Sequence, residues 1–137
     1  IQLHGNEDIS YIHKLKKNND VTIIKAFGIK DLKDFKIANE YLDVDYFLFD
    51  YKPTKNYELP GGNAKSFNWK ITRNVKILKK WFLSGGINEN NIKEAIGIKN
   101  LYGIDISSGV EEKLGVKSDN KISRILKIIK NTNEYKK

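Results

Sequence analysis

An α/β fold built on a parallel sheet is what this sequence predicts, and three observations carry the prediction. Short apolar runs recur along the chain, helical patterns lie between them, and two of the runs stop abruptly at small residues. The runs are Ile1–Leu3, Val21–Phe27, Tyr46–Asp50, Ile77–Leu83 and Gly103–Ser107. They are near-continuously apolar rather than alternating, as expected of strands buried on both faces. Their spacing of roughly 20–35 residues fits βα units with loop insertions. Such alternation leaves two architectures, a doubly wound sheet or part of a (β/α)₈ barrel. A closed barrel typically takes about 250 residues, so five units in 137 residues would be a partial one, forming a single domain over residues 1–137.

The helices follow from their stripes. From Asp8 to Lys17, Ile9, Ile12 and Leu15 share one face behind a polar start at Asn6-Glu7. Asp31 opens a second helix whose apolar positions are Leu32, Phe35, Ile37 and Leu42. Asn88 reads as the N-cap of a third, with Ile92, Ala95 and Ile96 as its stripe. In the last helix Ile122, Ile125, Leu126 and Ile129 repeat at three and four while Lys121, Lys127 and Lys130 face outward. The connection from Tyr51 to Phe67 is long for a βα loop and holds both prolines, Pro53 and Pro60, which marks it as a functional loop or lid.

Composition narrows the function classes. The net charge of +8 comes mostly from Lys spread along the chain, not from a basic cluster beside exposed aromatics. It reads as a solvated surface that favours anionic small molecules, with no nucleic-acid or membrane partner. There is no Cys, and His4 and His13 share no ligand-like spacing with carboxylates, so no metal site is expected. No apolar run approaches the ~20 residues of a transmembrane helix, and a cytoplasmic protein is expected.

Chemistry in such folds collects at the carboxyl ends of the strands. Trp81-Phe82-Leu83-Ser84-Gly85-Gly86 and Gly103-Ile104-Asp105-Ile106-Ser107-Ser108-Gly109 each end a strand on small residues ahead of a helix. Open backbone N–H groups there suit a phosphate, and two consecutive units predict one phosphate held by both loops, as (β/α)₈ barrels build after their last two strands. Asp50, after an aromatic run, has surroundings that would raise its pKa and keep it protonated as a general acid; capping of the following loop is the alternative. His4 and Asp105 are the other strand-end polar candidates.

Taken together, these residues resemble the carboxyl-terminal part of the phosphoribosylanthranilate isomerase family of tryptophan biosynthesis. The likeness runs through Ile1-Gln2-Leu3-His4-Gly5, Ile24-Lys25-Ala26-Phe27, Asp45-Tyr46-Phe47-Leu48-Phe49-Asp50 and Gly61-Gly62-Asn63-Ala64-Lys65-Ser66-Phe67-Asn68-Trp69. It continues through Phe82-Leu83-Ser84-Gly85-Gly86 and Asp105-Ile106-Ser107-Ser108-Gly109-Val110-Glu111, with Gly115-Val116-Lys117 adding to it.

The resemblance implies a (β/α)₈ barrel in which this chain supplies strands four to eight, the first three units lying before Ile1. It implies an Amadori rearrangement of N-(5-phosphoribosyl)anthranilate to the 1-deoxyribulose 5-phosphate ketose, with Asp50 as general acid and no metal or organic cofactor. His4 and Asp105 would bind substrate, and Gly85, Gly86, Ser107, Ser108 and Gly109 its phosphate. Gly61, Gly62, Lys65, Ser66 and Phe67 would form the active-site loop. That loop resembles a Gly-Gly-Thr-Gly-Lys-Thr-Phe-Asp-Trp pattern, from which Asn63, Ala64, Ser66 and Asn68 depart.

The family's general base is a Cys on the first strand and its substrate-binding Arg lies on the second; this chain has no Cys, and alone is expected to be inactive. The resemblance also admits fusion to, or association with, a neighbouring tryptophan-pathway enzyme. Another sugar-phosphate barrel of tryptophan or histidine biosynthesis, or a half-barrel that only binds a phosphate ligand, are the competing readings.

Overall fold

A computed structural model describes residues 1–52 and 66–134. Five strands form one parallel sheet: β1 (Gln2–Leu3), β2 (Ile24–Ile29), β3 (Tyr46–Tyr51), β4 (Lys80–Leu83) and β5 (Gly103–Ile104). Spatial order equals chain order, β1-β2-β3-β4-β5. A doubly wound sheet reverses its strand order at a switch point. No reversal occurs here, so each strand simply adds beside the last, as in a barrel wall.

The helices are α1 (Ile9–Asn18), α2 (Leu32–Ala38), α3 (Ile92–Ile96) and α4 (Asp119–Glu134), with short 3₁₀ turns at Trp69–Asn74 and Ser108–Val110. Asp8 caps α1 by accepting the Tyr11 N–H at 2.7 Å. Asp31 caps α2 in a reciprocal box with Asp34, whose carboxylate accepts the N–H groups of Lys30 and Asp31. Asp45, just ahead of β3, holds the Lys16 ammonium of α1 at 2.6 Å and the Ile23 N–H at 2.7 Å, fastening helix to sheet.

The core lies between the sheet and these helices. Phe35 of α2 meets Phe49 edge-on at 4.8 Å between ring centroids, Phe49 meets Trp81 at 5.4 Å, and Phe67 reaches Phe35 at 6.3 Å. Ile12, Ile29, Leu83, Ile87 and Ile92 are buried with them.

Several sequence expectations are corrected. The apolar stripes are narrower than read: Ile9, Leu32, Ile37, Leu42 and Leu126 are exposed, Ile12, Phe35, Ala38 and Ile125 are buried, and the expected Leu15, Ile122 and Ile129 pack half-buried against the core. A seven-residue helix such as α2 turns under two full circles, so its contact with a flat neighbour is a line and not a broad face. The helix also ends at Ala38, before Leu42. Helix α3 is regular only from Ile92, with Asn91 in the position before it, but Asn88 makes the capping contacts of the turn that opens it: its Oδ1 accepts the Asn90 N–H at 2.9 Å and its carbonyl the Ile92 N–H at 3.0 Å, while the Asn91 side chain turns back to accept the Asn88 N–H and donate to Gly86 O. The fifth strand ends at Ile104, short of the expected Ser107, because the chain turns there into the Ser108–Val110 segment. A two-stranded antiparallel hairpin, β6 (Glu111–Lys113) with β7 (Val116–Lys117), adds to the expected elements. Its turn holds Gly115 at a φ of 77°, a conformation that favours glycine.

Candidate active site

Sheet register builds the site. Gly28 pairs with Asp50 and Phe49 with Leu83, and the Ser84 N–H donates to Phe49 O; Leu83 pairs with Ile104, and the Asp105 N–H donates to Leu83 O. The pleat then sets Asp50, Ser84 and Asp105 in one row on the face opposite Phe49 and Leu83, at the carboxyl ends of their strands. Within that row Ser84 Oγ lies 3.5 Å from Asp105 Oδ2.

Asp50 is buried, at 4% exposure. Its Oδ1 accepts the Tyr51 N–H at 2.7 Å, and its Oδ2 lies 3.8 Å from His4 Nε2. Burial pushes its pKa above the ordinary aspartate range; the Tyr51 N–H and the His4 ring pull against the rise, while Asp105 adds to it. The sequence expectation of a raised carboxyl therefore meets its stated cause. A cavity of about 420 Å³ opens here, bounded by His4, Glu7, Lys25, Gly28, Asp50 and Lys52 among others. A larger one, about 690 Å³, lies between the Trp69–Asn74 turn and the end of α3. None of the residues expected to act on substrate lines it, whereas the smaller cavity holds two of them, His4 and Asp50.

The two glycine loops sit side by side beyond β4 and β5. Gly85 and Gly86 have φ of 87° and 63°, a region that other residues enter at a cost of about 1–2 kcal/mol each. Gly86 O is fixed from outside by the side-chain amides of Asn88 and Asn91, at 3.0 and 2.9 Å. A Cβ on Gly109 would stand 1.8 Å from Ile87 O, so the two loops touch backbone to backbone at a place only glycine can occupy. Among the described residues, the N–H groups of Gly85, Gly86, Ser108 and Gly109 donate to no acceptor. Lys117 of the hairpin steadies the second loop, its Nζ donating to Ser107 O, Ser107 Oγ and Glu111 Oε1 at 2.8–3.0 Å.

Of the expected loop residues, Ser66 and Phe67 are described; Phe67 is buried in the core and Ser66 exposed. Gly61, Gly62 and Lys65, with the departures Asn63 and Ala64, lie outside the described residues. The cavity over Asp50 and His4 is not lined by the glycine loops, so the two halves of the site are joined by the Asp50–Ser84–Asp105 row. Sequence reasoning missed Lys25, Glu7 and Lys117. A single charge inside the apolar run Ile23-Ile24-Lys25-Ala26-Phe27 was the available signal for the first. Among the described residues no cluster of His, Asp or Glu is placed to hold a metal ion, and no helix is long and apolar enough to cross a membrane.

Comparison with known proteins adds a family to this geometry. The family model described as N-(5′-phosphoribosyl)anthranilate (PRA) isomerase matches residues 1–128. An N-(5′-phosphoribosyl)anthranilate isomerase of Paracoccus denitrificans is 40% identical over 123 residues, 89% of this chain and 57% of that protein. The crystal structure of phosphoribosyl anthranilate isomerase from Thermotoga maritima superposes with a TM-score of 0.78 at 30% identity, covering 95% of this chain and 60% of that one. A further structure of such an isomerase, in complex with reduced 1-(o-carboxyphenylamino)-1-deoxyribulose 5-phosphate, matches at a TM-score of 0.71 and 29% identity, covering 92% of this chain and 56% of that one. The chain thus spans under two thirds of the length of these relatives.

Proposed function

From the premise that this chain belongs to the N-(5′-phosphoribosyl)anthranilate isomerase family, we propose that it carries the acid and the phosphate site of that isomerisation. Its five strands correspond to the fourth to eighth of the (β/α)₈ barrel. Their unreversed order and the paired glycine loops after the last two strands support that placement.

In the proposed reaction the sugar phosphate rests on the N–H groups of Gly85, Gly86, Ser108 and Gly109, with Ser107 shaping the second loop. Partial positive charge on those hydrogens suits a dianion, and no side-chain ordering is needed at binding. Asp50, protonated, gives its proton to the furanose ring oxygen. The C1–O bond breaks with its electron pair going to that oxygen, and the anilino nitrogen lone pair forms the C=N bond of a Schiff base. Loss of the C2 proton to a base gives an enolamine, and tautomerisation delivers the ketose, so the net change is an isomerisation. His4 lies beside the Asp50 carboxyl and Asp105 beside Ser84, both placed to contact the open-chain sugar. The resemblance gives the C2 base to a Cys, and this sequence has none, so the residues present carry the acid half of the chemistry.

The observation that carries the reading is the buried Asp50 carboxyl at the end of β3, kept toward its neutral form where a general acid is required. The test is turnover of N-(5-phosphoribosyl)anthranilate, followed by loss of its fluorescence, by the protein bearing this sequence. Asp50→Asn is expected to lower kcat by about 100-fold or more, with KM little changed. An Asn variant that keeps the parent rate would overturn the acid role.

A further inference from the structure

We infer that Lys25 and Glu7 form a positioning pair that sets His4 against Asp50, an inference that rests on the acid role proposed above. Lys25 is the second residue of β2 and is 3% exposed. An ammonium in such a place is costly unless every proton is used. All three are used here: Nζ donates to Gly5 O at 2.8 Å and to Ala26 O at 3.1 Å, and meets Glu7 Oε2 at 3.0 Å. The Phe27 ring centroid lies 5.4 Å away.

Glu7 completes the arrangement. Its two carboxylate oxygens accept the Gly5 N–H, at 3.2 and 3.0 Å. Burial raises its pKa, but the hydrogen bond and charge of Lys25 with the Gly5 N–H outweigh that and hold it below the usual glutamate value. The peptide groups on both sides of Gly5 are thereby gripped, the N–H by Glu7 and the carbonyl by Lys25. Gly5 is the residue after His4 and has no side chain of its own to restrict it. Without the grip, the hydrogen bond that holds the His4 ring among the described residues is the contact of Nδ1 with Gln2 Nε2 at 3.4 Å. With it, the ring is delivered to 3.8 Å from the Asp50 carboxyl.

Stability alone is a weak reason for such a pair, because two apolar residues of similar volume serve a core as well or better. That contrast supplies the experiment. The double variant Lys25→Met with Glu7→Met removes both charges without stranding either. It is expected to fold with a melting temperature near the parent's, yet to exchange the Gly5 amide about tenfold faster. Its His4 ring ¹⁵N resonances are expected to shift and to stop responding to Asp50→Asn. In turnover, kcat falls about tenfold or more while KM stays within about twofold, because the phosphate loops are untouched. Glu7→Gln, which keeps the shape and an acceptor but loses the charge, moves each readout the same way by less, and is the deciding variant if the double one does not fold.

Parent-like Gly5 protection and His4 resonances in a folded variant overturn the inference, as does parent-like kcat. Failure of the acid role itself is seen separately, as an Asp50→Asn variant that keeps the parent rate, while the His4 resonances still decide what Lys25 and Glu7 do.

Discussion

Asp50 shows how much a single residue conveys through its place in the chain. An aspartate closing Tyr46-Phe47-Leu48-Phe49 is either a cap or a carboxyl held in poor solvent, and the sequence leaves both open. The structure gives it both roles, since Oδ1 takes the Tyr51 N–H while burial raises the pKa. That rise is also a statement about stability. In the window between the ordinary aspartate value and the raised one, the folded state holds a proton that the unfolded state has released. Stability from this group is therefore full at acid pH and falls as pH climbs through the window. Asp50→Asn removes the penalty, so the variant should be more stable than the parent at neutral pH and equal to it below the ordinary aspartate range. Urea midpoints across pH check this; a variant less stable at neutral pH would mean the carboxylate is better held than its burial implies. Lys25 marks the opposite case, a decisive residue that the sequence hides, because a lysine in an apolar run is usually read as a side chain whose tip escapes to water. Only the packing of β2 against the segment after β1 removes that exit.

At the scale of elements, what is legible follows from periodicity and what is not follows from its lack. All five strands of the sheet fall on the apolar runs, with shifted ends at β2, β4 and β5, because a run such as Tyr46–Asp50 has no other way to bury both faces. The β6–β7 hairpin escapes because strands of three and two residues, Glu111–Lys113 and Val116–Lys117, carry no readable period. The paired glycine loops read as partners from spacing alone, and the contact between Gly109 and Ile87 O supplies the physical tie. Gly109→Ala should accordingly lose about 3 kcal/mol, the upper end of the range for overpacking, since a backbone carbonyl cannot swing aside as a side chain can. The two loops should separate at the same time, weakening binding of inorganic phosphate. Chemical denaturation and phosphate titration of this one variant test both, and an alanine variant that retains stability and affinity would show that the loops are not locked together.

Across the whole molecule, the groups proposed to act gather at one end of the sheet while the helices and aromatic core hold the other parts in place. His4, Ser84 and the two glycine loops follow the carboxyl ends of β1, β4 and β5, and Asp50 stands at the carboxyl end of β3, its next-to-last residue. An anion bound there should report on the entire fold, because both loops are continuous with core strands and would be released together on unfolding. At about 100 times its Kd, a ligand specific for the folded state adds ~2.7 kcal/mol. For a chain of this size that is a rise in melting temperature of about 10 °C. The net charge of +8 complicates a naive reading, since any anion screens repulsion among the lysines and raises stability without a site. Ser108→Glu separates the two effects. It sets a carboxylate in the second loop, where it repels a phosphate dianion, and changes the net charge by one unit only. Inorganic phosphate should stabilise the parent well beyond chloride at matched ionic strength, and the excess should vanish in Ser108→Glu while the chloride response stays. If phosphate and chloride act alike on the parent, the glycine loops are turns and the lysines alone attract the anion; if the excess survives in the variant, the phosphate is held elsewhere on the molecule.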